Sequence, residues 1–246
     1  YIKVKTGQKS SYTLVLSPQL VDRMFLQYSG TNATFSSADI DYAVVSAAKI
    51  FHLGYPPLLP ALIADNGAEL TYLFSRAGEA GTITSLDMSL PDPGGVASHV
   101  NWRELLRRTL PHVDVFIPSL EEIMFMLRRD DFDCWGDQIM KRVSGAYVDA
   151  LTNEILDMGS CVAGVKLGEY GIYIRTANAT RLSRMSERLP IRLDEWSDRQ
   201  VWHPAFAVNV VGTTGAGDSA YAGFLTAMLK GLSVENAARW ACAVGA

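Results

Sequence analysis

Gly215-Ala216-Gly217-Asp218 sets small residues directly before a carboxylate. That combination suits phosphate chemistry, because a backbone without bulk can lie against an anion while an acid stands beside it. Upstream, Phe206 to Val211 is apolar and β-branched enough for a buried strand. Downstream, Ser219 to Leu229 carries apolar residues at Tyr221, Phe224, Leu225, Met228 and Leu229, a helical spacing. The loop therefore joins strand to helix. The N–H groups of Gly215, Ala216 and Gly217 would face outward at a helix N-terminus, where unpaired donors and the helix dipole favour a negative ligand. A plainer reading is a glycine-rich turn with Asp218 as a first-turn acid. Gly-Ala-Gly-Asp-Ser-Ala also fits a loose dinucleotide fingerprint, with Glu235 about twenty residues on. That fingerprint needs a strand ending at the acid, whereas Ser233 to Val244 reads as a helix capped by Ser233. A G-x-x-x-x-G-K-[ST] loop is absent from the sequence.

Three further stretches carry polar groups at the ends of apolar runs. Cys161 to Lys166 and Ile172 to Arg175 read as strands around Gly168 and Gly171, which by themselves signal a hairpin. Ile117-Pro118-Ser119-Leu120-Glu121-Glu122 follows the apolar run from Val113, and Ser119 with Glu122 forms a capping-box pattern before the helical stretch Ile123 to Leu127. Ser85-Leu86-Asp87-Met88-Ser89-Leu90-Pro91 runs from strand to loop. Asp87 stands where α/β folds place ligands, and equally suits a structural turn.

Thr213-Thr214-Gly215-Ala216-Gly217-Asp218-Ser219-Ala220-Tyr221-Ala222-Gly223-Phe224-Leu225 resembles the C-terminal signature of the ribokinase-like carbohydrate kinases, the PfkB family. The family pattern is D-T-x-G-A-G-D, followed by small residues and A-G-F. The resemblance implies Asp218 as general base for an acceptor hydroxyl and Gly215, Ala216 and Gly217 as the anion hole, with Thr213 and Thr214 beside the nucleotide. Gly212 stands where the family has an Asp that helps hold an activating monovalent cation, so the resemblance does not extend to that ligand and leaves activation by such a cation open. Val165-Lys166-Leu167-Gly168-Glu169-Tyr170-Gly171 resembles the V-[TK]-x-G-x-x-G turn that borders the nucleotide, implying roles for Lys166, Gly168 and Gly171. The family writes the Ser119 motif N-x-x-E and uses its Glu to organise Mg²⁺, which points to Glu122; Ser119 departs from Asn. Asp87 echoes the D-x-N-x-R of many sugar kinases, with Ser89 and Pro91 in place of Asn and Arg. Ala237 to Ala246 resembles the start of the helix lining the adenine pocket, which brings in Ala243 and Gly245.

The elements that must hold these groups alternate. Lys49-Leu53, Thr82-Asp87, Val113-Ile117 and Val162-Lys166 read as strands, with helices around Asp39-Ala48, Trp102-Leu110 and Asp137-Leu156. This predicts an α/β fold, ribokinase-like, with a largely parallel sheet flanked by helices on both faces. Tyr1 to Lys5 and Ser11 to Leu16 alternate around Thr6 to Ser10 and predict a β-hairpin; in the family such strands form a small lid over the sugar and often a dimer contact. Residues 1–34 then form lid and connection, and 35–246 the kinase core. Pro56-Pro57 and Pro91 to Gly95 read as loops, and Ala177 to Arg199 as a polar excursion near the nucleotide. Against the family, an early G-G-x-x-x-N motif and the completion of the adenine pocket are not in the sequence, so both ends are expected to be cut.

The 246 residues, 48% hydrophobic and 20% charged, suffice for one sizeable core. A net charge of −4 gives no footprint for nucleic acid or an anionic membrane. Cys134, Cys161 and Cys242 lack disulfide or zinc spacing and read as buried thiols, while His52, His99, His112 and His203 are scattered. The chain has neither an eighteen-residue apolar run nor a signal peptide pattern, which fits the cytoplasm. The resulting expectation is an ATP- and Mg²⁺-dependent phosphotransferase acting on a hydroxyl of a small sugar or sugar derivative, with homodimerisation through the lid. The alternatives are a nucleoside kinase of the adenosine type, or an idle sugar- or nucleotide-binding regulator of the same fold.

Overall fold

The computed structural model describes residues 2–16, 24–210 and 212–246. Tyr1 and Val211, both placed in strands by the sequence reading, lie outside the described residues. β1 (Tyr12–Leu16) and β2 (Met24–Tyr28) form an antiparallel pair. A second sheet runs β3 (Ile50–Leu53), β4 (Ile83–Leu86), β5 (Val115–Phe116), β6 (Val162–Lys166), β7 (Ile172–Thr176) and β8 (Gln200–His203), adjacent in that order. Its first four strands are parallel, with Ile50 opposite Ile83, Ser85 opposite Val115 and Val115 opposite Val162. β7 and β8 close the sheet antiparallel, Lys166 opposite Ile172. The sheet is thus mixed, with the expected turn between β6 and β7.

Eleven helices surround it: α1 (Tyr42–Ala47), α2 (Pro60–Glu79), α3 (Trp102–Thr109), α4 (Leu120–Leu127), α5 (Arg129–Trp135), α6 (Ile139–Arg142), α7 (Gly145–Asp157), α8 (Ala179–Arg188), α9 (Leu193–Trp196), α10 (Ala216–Leu229) and α11 (Val234–Val244), counted among the described residues. Side-chain alternation along the strands explains why both faces are covered. Leu86, Phe116, Ala163 and Tyr173 enter a core with Leu70 and Phe74 of α2 and Leu105 of α3. Ile83, Val115, Val162, Ile172 and Ile174 enter a second core with Phe224 and Met228 of α10 and Ala237 and Ala241 of α11. Burying one side chain the size of Phe74 or Phe224 stabilises by about 1.5–3 kcal/mol, and both are wholly buried.

Several sequence expectations need correction. The hairpin is not Tyr1–Lys5 with Ser11–Leu16. Residues 2–5 are not a strand, Lys5 Nζ bonds Asp39 Oδ2 at 2.7 Å, and β1 instead takes β2, with the Tyr12 and Tyr28 rings 5.2 Å apart. Alternation announces a strand but not its partner. Phe206 to Val210 forms no strand: the ladder ends at His203, Pro204 follows, and Val208 and Val210 are exposed. The expected helix Asp137–Leu156 is split, because Ser144 Oγ accepts from Tyr147 N–H and caps α7. Helix α2 shows no continuous helical period in the sequence because it is interrupted at Ala64–Gly67, where Asp65 and Asn66 take left-handed backbone. Ala177–Arg199 is not an irregular excursion. It folds into α8, capped by Asn178, and α9, and the Arg184 guanidinium of α8 donates to Asp114 at the amino end of β5. Of the three cysteines, Cys242 is buried and Cys134 exposed. No helix among the described residues is long and apolar enough to cross a membrane.

The turn after β6 requires glycine at 171. Its φ is +88°, and a β-carbon there would stand 2.0 Å from the His203 carbonyl oxygen. Gly171→Ala should lower stability by more than about 1 kcal/mol, read as a lower urea midpoint; an unchanged midpoint would contradict this packing.

Candidate active site

Four parallel strands deliver their carboxyl ends to one place, as open α/β sheets do. Asp87 follows β4, Ser119 follows β5, Lys166 ends β6, and Tyr55 leaves β3. The Lys166 ammonium donates to both Asp87 oxygens at 2.8 Å. Asp87 is 2% exposed and Lys166 12%. Burial pushes the Asp87 carboxyl above its ordinary value, against the pull of Lys166 and of the Met88 N–H that bonds Oδ1 at 2.9 Å. Beneath the pair lies Tyr221 of α10, fully buried, with its ring 5.5 Å from Lys166 Nζ. Its hydroxyl accepts from Ser85 Oγ and lies 3.0 Å from the Leu86 and Val115 carbonyl oxygens.

Ser119 and Glu122 form the anticipated capping box. Ser119 N–H donates to Glu122 Oε2 at 2.7 Å, and Glu122 N–H to Ser119 Oγ at 3.3 Å. Burial, reinforced by Asp87 and opposed by Lys166 and the Ser119 bonds, pushes the Glu122 carboxyl up to about 7.

α10 begins beside these strand ends. Gly215 caps it with φ +80°, a conformation few other residues adopt without strain. Ala216 N–H turns back to the Thr213 carbonyl at 3.3 Å, whereas Gly217 sits one position on, where a helix leaves its N–H groups without intrahelical partners. A β-carbon on Gly217 would lie 3.6 Å from Lys166 Nζ, so the ammonium abuts the helix start. Asp218 is in the first turn and exposed.

A cavity of about 470 Å³ opens here, lined among others by Tyr55, Glu122, Lys166, Gly215, Gly217 and Asp218. A second, of about 780 Å³, runs from Gly168 past Thr213 and Ala216 to Gly245. A narrow cleft between them includes Lys166, Gly171, Gly217 and Gly245. A β-carbon on Gly245 would be 2.8 Å from the Ala216 carbonyl oxygen, which shows how closely α11 meets α10. Most of the residues singled out from sequence thus converge. Thr214 and Ala243 are exposed and do not line these openings, and Asp87 lies behind Lys166.

Sequence reasoning missed Tyr55, Met88, Glu121, Met140 and Glu169, which complete the first cavity. Tyr55 had a legible signal, since it leaves a strand at the sheet's carboxyl edge. Its φ of 62° and ψ of 49° are left-handed, at a cost of about 1–2 kcal/mol for a non-glycine residue. Its N–H donates to the Asp87 carbonyl at 3.2 Å, and its hydroxyl donates to Asp218 Oδ1. The cavity wall carries the carboxylates Glu121, Glu122, Glu169 and Asp218 with Lys166 as its cation. Among the described residues, no three acidic, His or Cys side chains are grouped to cage a metal. Carboxylates on a cavity wall nevertheless suit Mg²⁺, which is usually held by one or two of them together with substrate phosphates.

The fold has counterparts among known proteins. Over 237 residues the chain is 24% identical to an uncharacterized sugar kinase of Archaeoglobus fulgidus, spanning 96% of this chain and 75% of that protein. The fold is similar to Arabidopsis thaliana ribokinase complexed with ribose and ATP, with a TM-score of 0.65, 18% identity and coverage of 97% of this chain and 62% of that one. It is equally similar to adenosine kinase from Sinorhizobium meliloti, with a TM-score of 0.64, 20% identity and coverage of 97% and 61%. The chain therefore spans less than two thirds of the length of these two structures. The pattern of the pfkB family carbohydrate kinases matches residues 1–246, and since that match runs through every strand end and helix start described above, the protein belongs to this family.

Proposed function

We propose that the protein transfers the γ-phosphate of ATP to a hydroxyl of a small sugar or sugar derivative. The observation that carries this reading is the placement of Asp218 in the first turn of α10, where the helix start and Lys166 face one cavity. Phosphoryl transfer asks little covalent work of a protein and much positioning and charge stabilisation. Lys166 and the Gly217 N–H would take the charge on the transferring group, with Gly168, Thr213 and Gly245 along the nucleotide. Glu122 would help hold Mg²⁺ together with the phosphates, and the ion would neutralise part of that charge. Asp218 would accept the proton of the attacking hydroxyl. In this reading the β1–β2 pair is the lid, residues 35–246 are the catalytic core, and the half-exposed Leu14, Leu16 and Leu26 pack on the acceptor or on a second copy.

Asp218→Asn should keep the fold and nucleotide binding while losing roughly 10²–10⁴ in kcat. The measurement is ADP release with MgATP over sugars, sugar phosphates and nucleosides. Turnover on sugars that the variant loses supports the proposal; turnover confined to nucleosides moves the acceptor class; turnover undiminished in the variant removes Asp218 from the chemistry.

Glu122 sets a pH dependence. Its folded pKa of about 7 lies above its ordinary 4.5, so the native state holds a proton that the unfolded chain releases. Stability from this group is present in full below pH 4.5 and is lost as pH rises through 7. Between pH 5 and 8 without ligand, the wild type should therefore lose stability relative to Glu122→Gln, read as diverging melting temperatures. Parallel curves would contradict the burial of this carboxyl.

A further inference from the structure

The carboxylate placed to act as base is itself held. Among the described residues, the hydrogen bond to its side chain comes from the Tyr55 hydroxyl, which donates to Oδ1. Tyr55 and Asp218 are 163 positions apart, the one just after β3 and the other in α10. The Tyr55 backbone is anchored in turn, because its N–H donates to the Asp87 carbonyl and Pro56-Pro57 follows it directly. That residue is kept in left-handed backbone where a glycine would sit without strain. Strain maintained at a cavity wall marks a side chain whose position matters. The phenol also stays a donor: burial first, then the Asp218 bond, then the Asp218, Asp87 and Glu122 charges all push its pKa up. Tyr55 therefore does not compete with Asp218 for a proton.

We propose that Tyr55 is a positioning residue for the transfer: its hydroxyl fixes Asp218 through Oδ1 and leaves Oδ2 turned to the acceptor. The inference rests on Asp218 as base. In the step it serves, the acceptor O–H bond breaks and its proton goes to Asp218 Oδ2. The freed oxygen bonds the γ-phosphorus, and the bond from phosphorus to the bridging oxygen breaks, its electron pair leaving with ADP. A carboxylate free to rotate would meet the hydroxyl in the right direction less often, and small misplacements of catalytic groups cost rate steeply.

The test compares Tyr55→Phe, Asp218→Asn and the double variant with the wild type, at saturating MgATP and acceptor. Tyr55→Phe should lose about ten- to a hundredfold in kcat with the KM for ATP within about twofold. Because Tyr55 acts through Asp218, the double variant should be no slower than Asp218→Asn alone. An unchanged kcat in Tyr55→Phe, losses that multiply in the double variant, or a change confined to the acceptor KM would each overturn the inference. A wild type without turnover on any acceptor would instead overturn the kinase reading, and this inference with it. The contact has a readout independent of activity and of the folding of Tyr55→Phe: in protein carrying ¹³Cζ-tyrosine, one ring resonance should shift in Asp218→Asn, and a spectrum with no tyrosine shifted would overturn the contact.

Discussion

A lysine buried against an aspartate at the carboxyl ends of two parallel strands governs the site. Lys166 and Asp87 bond at 2.8 Å across the β4, β5, β6 edge, with the carboxylate almost sealed from water. Desolvating such a pair is expensive, and removing one partner typically costs about 3–5 kcal/mol, because the other is left charged and buried. Neither side chain can be exchanged alone without consequence. The pair also fixes an ammonium group, otherwise on a flexible stem, next to Gly217.

The surrounding chain accommodates that constraint. Tyr221 supplies an aromatic floor under the ammonium and spends its hydroxyl on strand backbone, so α10 is tied to the sheet as well as packed on it. The start of α10 is thereby placed against Lys166, two sources of positive potential facing one cavity. Glu121, Glu122 and Glu169 line the same cavity. For the proposed function, these acidic groups favour a polyphosphate that arrives with a divalent cation over a bare one. Burial, more than its charged neighbours, raises the Glu122 carboxyl to about 7, so that without ligand it keeps a proton more readily than an exposed glutamate does.

How much of this was legible in the sequence depended on locality. The strand ends, the capping box at Ser119 and Glu122 and the turn at Gly168 and Gly171 depend on neighbours a few residues apart, and they were readable. The pairing of β1 with β2 was not, because alternation around Thr6 to Ser10 gave no information about Met24 to Tyr28. Phe206 to Val210 looked like a strand by composition, yet composition cannot say whether a ladder partner is free. Helix α2 was hidden by its break at Asp65 and Asn66. Lys166 was placed near the nucleotide through a motif, but its partnership with Asp87, 79 positions away, belongs to the tertiary fold. The same holds for Tyr55, whose role arises from contacts that sheet topology creates.

In the proposed reaction the transferring phosphate lies between the start of α10 and Lys166, within reach of Asp218. The direct test is a crystal structure of the protein with ADP, Mg²⁺ and beryllium fluoride, which mimics the γ-phosphoryl group. Fluoride atoms are expected about 3 Å from the Gly217 N–H and Lys166 Nζ, on the side of the cavity that Asp218 faces. Beryllium fluoride bound away from the α10 start, with Lys166 and Asp218 turned from it, would contradict the claim.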